Sequence, residues 1–149
     1  MKMVVQRVTE GRVSVDGRTC GAIRNGLVVL LGVGREDTSG DADYLLDKLL
    51  GLRIFADDQG KMNRNIEEAG GELLIVSQFT LYGDCRKGRR PSFDRAAPPE
   101  QAQALYNYFV ESARRSPIRT ATGIFQAHMQ VDIVNDGPVT LVISSEDRG

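Results

Sequence analysis

Three hydrogen-bonding side chains stand together at the end of an apolar segment, in the stretch Ser77, Gln78, Phe79 and Thr80, just before a Tyr-Gly-Asp turn. Hydroxyl and amide groups at the end of a buried strand are held by a rigid sheet, and proteins often present substrate-binding groups in such places. A polar cap on the edge of a sheet would give the same pattern. The residues alone therefore leave two interpretations open, a reactive site and a structural cap.

A covalent hydrolase mechanism lacks an evident base in this chain. Serine and cysteine nucleophiles usually depend on a histidine, and His128 is the only one. It falls within an alternating, strand-like segment, which favours a surface or packing role. Cys20 and Cys85 lack the spacing of metal and redox motifs, so we predict two free thiols and no metal site. Gly32 and Gly34 lack the third glycine and the lysine of phosphate-binding loops, so they indicate such a loop only weakly.

Four cations lie within five residues of a predicted loop: Arg86, Lys87, Arg89 and Arg90. Such a run is usually a solvated loop, and a patch that contacts RNA phosphates is the alternative. The whole chain has 19 basic and 20 acidic residues, which gives a net charge of −1. This balance argues against a protein that coats nucleic acid without specificity, but it leaves room for a local patch.

A Gly-Pro pair interrupts the stretch VNDGPVT near the C-terminus, at Gly137 and Pro138. Apolar, strand-like segments flank the pair on both sides, so the region otherwise resembles a hairpin. The pair joins the most flexible residue type to the most restricted one. An ordinary turn is the simplest interpretation of that combination.

Length and composition are those of one ordinary globular domain. The chain has 149 residues, of which 41% are apolar and 26% are charged. No apolar run approaches the roughly 18 residues of a membrane span, and the N-terminus lacks the layout of a signal peptide. We therefore expect a cytoplasmic protein without a membrane partner.

The elements that must position these residues follow from periodicity and capping. The pattern predicts about seven strands and two helices in one α/β domain with a mixed sheet. Thr38 or Ser39 is predicted to cap a helix that ends at Gly51, and Pro98 and Pro99 are predicted to open the second helix. The main predicted strands cover residues 3–9, 26–34, 72–81, 123–134 and 139–145. Residues 144–149 are predicted to be a flexible tail.

The two motifs SQFTL, at 77–81, and NDGPVT, at 135–140, resemble the signature pair of the D-aminoacyl-tRNA deacylases, first called D-tyrosyl-tRNA deacylases. Seven further stretches match that family in the same order: QRV, GLVVLLGV, GLRIF, GKMN, RPSF, ALYNYFV and MQV. The resemblance extends from Met1 to about Ile143. It implies a single deacylase domain over residues 1–149.

The resemblance implies an enzyme that hydrolyses the ester of D-aminoacyl-tRNA, releases the D-amino acid and the tRNA, and rejects L-aminoacyl-tRNA. It also implies cleavage of glycyl-tRNA mischarged on tRNA(Ala), because glycine has no side chain to reject. The implied fold has barrel-like β layers with two main helices in β/β/α order, and the implied assembly is a cytoplasmic homodimer. No metal or organic cofactor is expected.

The resemblance also assigns roles to individual residues. Catalytic groups are expected in Ser77–Thr80, which form the floor of the site. The partner subunit is expected to supply Gly137 and Pro138, joined by a cis bond, beside the α-carbon of the substrate, with Arg7 in support. Phe125 and Met129 are expected to line the adenine pocket. Arg86, Lys87, Arg89 and Arg90 are expected to contact tRNA.

Two other functions stay open on composition alone. One is a binding module that recognises an RNA or peptide end without turnover, and the other is an amidase that acts on free D-amino-acid derivatives. Release of an amino acid from D-aminoacyl-tRNA separates the deacylase from the first, and activity without tRNA would indicate the second.

Overall fold

The computed structural model describes residues 1–148, and in them the chain forms eight strands, two α-helices and two short 3₁₀ turns. The helices are α1 (Ser39–Gly51) and α2 (Pro99–Arg114), and the 3₁₀ turns cover Phe79–Tyr82 and Ser145–Asp147. The strands are β1 (Lys2–Val15), β2 (Arg18–Ile23), β3 (Gly26–Gly32), β4 (Phe55–Ala56), β5 (Met62–Arg64), β6 (Glu72–Ser77), β7 (Thr120–Thr122) and β8 (Gln130–Ser144).

Six strands form one mixed sheet, and the short pair β4–β5 stands apart from it. The long strand β1 pairs antiparallel with β3 through its first half and with β2 through its second half, while β8 pairs with β1 along its other edge. The strands β3, β6 and β7 run parallel to one another. Because β7 also packs against β2, the sheet is nearly closed. The predicted mixed, barrel-like sheet with two helices is therefore confirmed.

The sheet has a buried cluster on each face, as alternation along β3 and β6 requires. Leu27, Val29 and Leu31 of β3 belong to the larger cluster, which also contains the apolar stripes of α1 and α2. Val28 belongs to the smaller cluster, against which Met129 and other residues near the start of β8 pack. Strand β3 is thus buried on both faces, as its continuous apolar sequence predicts.

Both helices begin where the sequence predicts. Thr38 and Asp41 form a capping box at the start of α1, in which the Thr38 N–H donates to the Asp41 carboxylate at 2.8 Å. Helix α1 ends at Gly51, and α2 starts with Pro99 in its first position. The predicted apolar face of α2 is largely correct, because Ala102, Phe109 and Ala113 are buried there and Leu105 is half-buried.

Two strand boundaries were predicted wrongly. Strand β6 ends at Ser77 rather than near Leu81, because its pairing with β3 stops at Leu31 and the chain turns into a 3₁₀ turn. Strand β8 begins at Gln130 rather than near Gly123, because a turn with Gln126 at φ 66° precedes it. In both places β-favouring residues adopt irregular backbone, since packing at the end of the sheet outweighs local preference.

The predicted hairpin at Gly137 and Pro138 is also wrong. The chain does not reverse there, and β8 continues along β1 on both sides of the pair. Gln6 pairs with Thr140 and Val8 pairs with Asn135, so four residues of β8 (136–139) lie opposite the single residue Arg7. The Gly-Pro pair therefore forms the tip of a wide bulge that projects from a continuous strand.

The C-terminal segment makes several contacts with the body of the domain. Ser145 is buried, and its Oγ lies 2.8 Å from the Met1 amino group. The Arg148 guanidinium lies 2.6 Å from the Asp41 carboxylate near the start of α1. Gly149, the last residue of the predicted flexible tail, lies outside the described residues. Within residues 1–148 no helix combines the length and apolar character that crossing a bilayer requires.

Candidate active site

A cavity of about 780 Å³ opens at the carboxyl ends of the parallel strands β3 and β6. Such an edge is the common position of a site in sheets with parallel strands. Its lining is mainly apolar and comes from the segment after β3, the end of β6 with its 3₁₀ turn, the segment 93–98 with the start of α2, and the residues before and at the start of β8. The polar side chains among the lining residues are those of Arg35, Ser77, Gln78, Gln126 and His128.

Ser77, Gln78 and Phe79 form part of this lining, where β6 passes into its 3₁₀ turn. The Gln78 N–H donates to the Leu31 carbonyl at 2.8 Å, which fixes the turn to the end of β3. Gln78 Nε2 donates to Thr80 Oγ1, so the Thr80 hydroxyl is engaged within the turn. Thr80 is exposed beside the cavity and is not one of its lining residues.

The backbone of this turn presents two free donors. Phe79 and Thr80 are the first residues of a 3₁₀ turn, where N–H groups have no partner within the turn. Neither N–H group donates to another of the described residues. Two neighbouring free N–H groups at the edge of a cavity are suited to bind a carbonyl oxygen that gains negative charge.

Gly32 and Gly34 hold this turn in place rather than forming a phosphate-binding loop. A Cβ atom on Gly32 would lie 2.9 Å from the Gln78 carbonyl, and one on Gly34 would lie 2.8 Å from the Tyr82 ring. Any larger residue at either position would push the turn away from β3. The two glycines therefore set the position of the Phe79 and Thr80 amides.

Aromatic side chains cover the apolar wall of the cavity. Phe79 is 53% exposed and meets Phe93 edge-on, with ring centroids 5.1 Å apart. Phe125 packs against Tyr106 at 5.9 Å, and the Tyr106 hydroxyl donates to the Ile75 carbonyl at 2.8 Å. Burial raises the pKa of Tyr106 to about 12. Flat apolar walls of this kind are suited to a nucleobase.

Phe125 and Met129 both line the cavity, although they lie in a loop and not on one face of a strand. Gly123 makes room for the Met129 side chain, since a Cβ there would lie 2.6 Å from Met129 Sδ. His128 and Gln126 from the same loop also line the cavity. Sequence reasoning assigned His128 to a surface or packing role, because the apparent alternation placed it on the face opposite Phe125.

Four further lining residues were missed or given no role in the site. Phe93 lies in the RPSF stretch, and Pro98 and Pro99 lie at the predicted start of the second helix. The sequence therefore contained signals at these residues, but it did not predict that they line the same cavity. Arg35 is a lone cation after β3, and no sequence signal marks it.

The Gly-Pro bulge lies elsewhere on the same chain. Both of its central residues are exposed, the Gly137–Pro138 bond is cis, and Gly137 has φ 126°. Neither residue is among those that line the cavity of the same chain. Asn135 and Thr140 close the base of the bulge, with Asn135 Nδ2 donating to Thr140 Oγ1 at 2.8 Å.

Arg7 holds the bulge from below. Its side chain is only 15% exposed, and its Nη1 donates to the Ile54 carbonyl at 2.7 Å. Its Nε donates to the Asp136 carbonyl at 3.2 Å and lies 3.4 Å from the Asp136 carboxylate. The arginine thus connects β1, the segment before β4 and the bulge, so it limits movement of the Gly-Pro tip.

The basic loop connects the 3₁₀ turn to Phe93, and both of these flanking segments contribute to the cavity lining. All four of its cations are exposed, and a backbone pairing of Asp84 with Ser92 closes its base. The Arg86 guanidinium binds both carboxylate oxygens of Asp84 at 2.7 to 3.1 Å. These hydrogen bonds lower the pKa of Asp84 to about 2. Arg86 is therefore already engaged, whereas Lys87, Arg89 and Arg90 form no ion pair with the described residues.

Among residues 1–148 no group of three or more histidine, cysteine or acidic side chains is arranged to hold a metal ion. Cys20 and Cys85 are both free and exposed, as their spacing predicts.

The family model described as D-Tyr-tRNA(Tyr) deacylase matches residues 4–144. This range includes the turn at residues 77–82, called the floor turn below, and the basic loop. It also includes the loop before β8 that lines the cavity and the Gly-Pro bulge. The chain belongs to the D-Tyr-tRNA(Tyr) deacylase family.

Named relatives of this family match over nearly the full length. The chain is 64% identical to a D-aminoacyl-tRNA deacylase of Solibacter usitatus over 99% of this chain and 98% of that protein. It is 55% identical to a D-aminoacyl-tRNA deacylase of Thermotoga petrophila over 97% of both chains.

Solved structures agree with the deacylase fold. One, of a protein named c-Myc DNA Unwinding Element Binding Protein, superposes with a TM-score of 0.92 at 44% identity, covering 97% of this chain and 98% of the other. A second, described as a probable eukaryotic D-amino acid tRNA deacylase, superposes with a TM-score of 0.80 at 20% identity, covering 95% and 97%. The second likeness concerns the fold alone.

Proposed function

We propose that this protein is a hydrolase that cleaves the ester of D-aminoacyl-tRNA to release the D-amino acid and the tRNA. The observation that carries the proposal is full-length identity of 64% and 55% to proteins named D-aminoacyl-tRNA deacylase. The cavity agrees with this substrate, because aromatic walls suit an adenine base and free amides suit a polarised ester. The substrate occurs in the cytoplasm, where we place the enzyme.

The floor turn supplies electrostatic stabilisation. In our proposal the ester carbonyl oxygen points toward the free N–H groups of Phe79 and Thr80, which stabilise the negative charge of the tetrahedral intermediate. Removing one such donor costs roughly 100- to 1,000-fold in related sites. Ser77 and Gln78 position this turn and the substrate, and Phe125 and Met129 hold the adenine.

Water is the nucleophile in this proposal, and the substrate assists it. The Thr80 hydroxyl accepts a hydrogen bond from Gln78, and His128 makes no hydrogen bond with it among the described residues. Thr80 therefore has no base that would make it a nucleophile. The neighbouring 2′-hydroxyl of the terminal adenosine takes the proton from water and passes it to the departing 3′-oxygen. The C–O bond of the ester breaks, and the amino acid leaves as a carboxylic acid.

Enantiomer selection is assigned to Gly137 and Pro138 of the partner subunit in a homodimer. Three features support this assignment: the bulge is exposed, it is braced by Arg7, and it does not line the cavity of its own chain. Val134 and Val142 on either side of the bulge are 52% and 77% exposed, which is typical of apolar side chains that a partner covers. An L-side chain would clash with the bulge, whereas a D-side chain would point away from it.

Glycyl-tRNA mischarged on tRNA(Ala) is a second substrate in this proposal. A filter that acts by clash with an L-side chain leaves glycine untouched, because glycine carries only hydrogen at the α-carbon. The enzyme would therefore cleave glycyl esters while it spares L-aminoacyl esters.

A binding module without turnover is the second candidate, and it is favoured by the likeness at 44% identity to a protein named for binding a DNA element. Time-resolved release of free D-tyrosine from D-tyrosyl-tRNA separates the two. The deacylase should release the amino acid over many turnovers, in the presence or absence of EDTA. Stoichiometric binding with no release would instead support the binding module.

The basic loop is assigned to phosphates of the tRNA acceptor stem. We expect the double variant R89Q/R90Q to raise KM for D-aminoacyl-tRNA and to leave the D-to-L ratio as in the wild type. Each lost phosphate contact should reduce the slope of log KM against log salt concentration by about 0.7–0.9. The measurement is KM at several salt concentrations.

The matched control is R18Q/R53Q, which removes two exposed arginines that lie outside the loop and form no ion pair with described residues. It preserves the net charge of the loop variant, so an equal change in salt slope would show a general charge effect. In that case the loop would be only a solvated segment.

A further inference from the structure

Among the residues that line the cavity, Arg35 alone carries a guanidinium group. It follows β3 directly and is exposed at the cavity edge. Its Nε donates to the Asp94 carbonyl, and it forms no ion pair with a carboxylate among the described residues. One side of the guanidinium is therefore held by the protein, and its remaining N–H groups are free for an anion.

The backbone of Arg35 is fixed at both of its polar groups. Its N–H donates to the Arg95 carbonyl at 3.1 Å, and its carbonyl accepts from Gln101 Nε2 at 2.9 Å. Gln101 lies in the first turns of α2, whose start also lines the cavity. The backbone of Arg35 is thus hydrogen-bonded to the start of α2, which also lines the cavity. The position of the Arg35 charge relative to the aromatic walls is therefore restricted.

The arrangement of apolar wall and single cation matches a nucleotide better than a nucleoside. Phe79, Phe93 and Phe125 offer faces for a base, while the free amides of the floor turn lie where the ester would bind. The terminal adenosine of tRNA carries one phosphate, on its 5′-oxygen, directly attached to the sugar whose 3′-oxygen bears the ester. Arginine binds phosphate with two parallel hydrogen bonds.

Resting on the function proposed above, we propose that Arg35 binds the 5′-phosphate of the terminal adenosine and so positions the ester over the floor turn. Arg35 also borders a smaller pocket of about 190 Å³, whose other charged lining residues are Arg95 and four carboxylates, those of Glu36, Asp37, Asp94 and Glu146. Carboxylates repel a phosphate, so the phosphate lies on the side of the larger cavity. Arg35 is a positioning residue in this role, separate from the basic loop that binds the acceptor stem.

The test compares two small esters that differ only in the phosphate: 3′-O-D-tyrosyl adenosine and its 5′-monophosphate. For the wild type, we expect kcat/KM to be about tenfold higher with the phosphate, as a charge-assisted hydrogen-bonded pair provides. In Arg35→Gln this preference should fall to nearly one, and Arg35→Lys should keep part of it. A structural role alone would lower the rates of both esters equally and leave their ratio at the wild-type value.

The control is Arg24→Gln, an exposed arginine at the other end of β3 that should retain the wild-type ratio. Calorimetric binding of adenosine and AMP gives a readout that does not depend on turnover. A preference of about tenfold for AMP that Arg35→Gln abolishes would support the role of Arg35 even if no ester were cleaved. If that binding preference were found but no ester were cleaved, the deacylase proposal would be contradicted and the role of Arg35 in phosphate binding would stand. An AMP preference that survives Arg35→Gln, or its absence in the wild type, would overturn the role of Arg35.

Discussion

Replacing Gly137 by alanine should lower turnover of D-tyrosyl-tRNA by roughly 100-fold, the typical cost of misplacing a binding group by about 1 Å. Gly137 has φ 126°, a conformation that residues with a side chain rarely adopt. Its Cβ would lie 3.0 Å from Arg7 Nη2 and 3.0 Å from Val139 Cγ2. Because hydrogen bonds to Ile54 and Asp136 hold the Arg7 side chain, we expect the bulge to shift away from it and the D-to-L ratio of the remaining activity to fall. Single-turnover deacylation of both enantiomers measures the two effects.

The matched control for this variant is Gly60→Ala. Gly60 also has positive φ, at 77°, but a Cβ there would meet nothing within 4 Å. It therefore places an alanine at positive φ without displacing a neighbour, and its D-to-L ratio should equal that of the wild type. If Gly137→Ala retained both full turnover and full selectivity, the bulge would have no role in the site.

A substrate that ends in 2′-deoxyadenosine should be cleaved at least 100-fold more slowly than the natural one, about the usual size of a general acid–base contribution. In the proposed mechanism, the 2′-hydroxyl relays the proton from water to the departing 3′-oxygen, and no side chain of the floor turn replaces it. Because the Thr80 hydroxyl is engaged by Gln78 and has no base, Thr80→Val should keep most of the activity. Single-turnover rates with both substrates and both proteins give the comparison.

Covalent catalysis predicts the opposite pattern for these four combinations. Complete loss of activity in Thr80→Val, recovery in Thr80→Ser and normal cleavage of the 2′-deoxy substrate would identify Thr80 as the nucleophile. The Thr80→Ser variant also controls for packing, because it restores the hydroxyl without the methyl group.

The sequence was most informative where one local signal decides the structure. Thr38 with Asp41 forms a cap, Pro99 stands in the first position of a helix, and the continuous apolar run of β3 lies in the middle of the sheet. Each of these depends on neighbours within a few residues or on burial of both faces. Periodicity and capping therefore predicted both helices, the central strand and the mixed sheet.

The sequence pattern predicted strands wrongly where β-favouring residues occupy a loop. Phe125, Ala127 and Met129 alternate as in a strand, yet they line the cavity from a turn, with Gln126 at positive φ. The stretch after Ser77 also leaves the sheet, because Gly32 and Gly34 allow a 3₁₀ turn to pack closely there. In both places the residues that shape the segment are distant in sequence, so the local pattern could not predict the irregular backbone.

The Gly-Pro bulge shows a different limit of sequence reasoning. A Gly-Pro pair between two apolar segments is compatible with either a hairpin or a bulge, and only pairing with β1 distinguishes them. The two motifs contain the residues of the 3₁₀ turn and of the bulge, whereas Arg35 and His128 line the cavity only because of the tertiary structure. A single arginine with no neighbouring cations forms no recognisable sequence pattern.

The most direct test of the proposed two-subunit site uses mixed dimers of Phe79→Pro and Gly137→Ala, co-expressed with different affinity tags and purified through both. Phe79→Pro removes one proposed donor and the aromatic ring from the floor, while Gly137→Ala displaces the bulge. A mixed dimer then holds one site with both defects and one site with neither. It should therefore cleave D-tyrosyl-tRNA at about half of the wild-type rate. If the mixed dimer were no more active than the two variants assayed separately, the floor and the bulge would not come from different subunits.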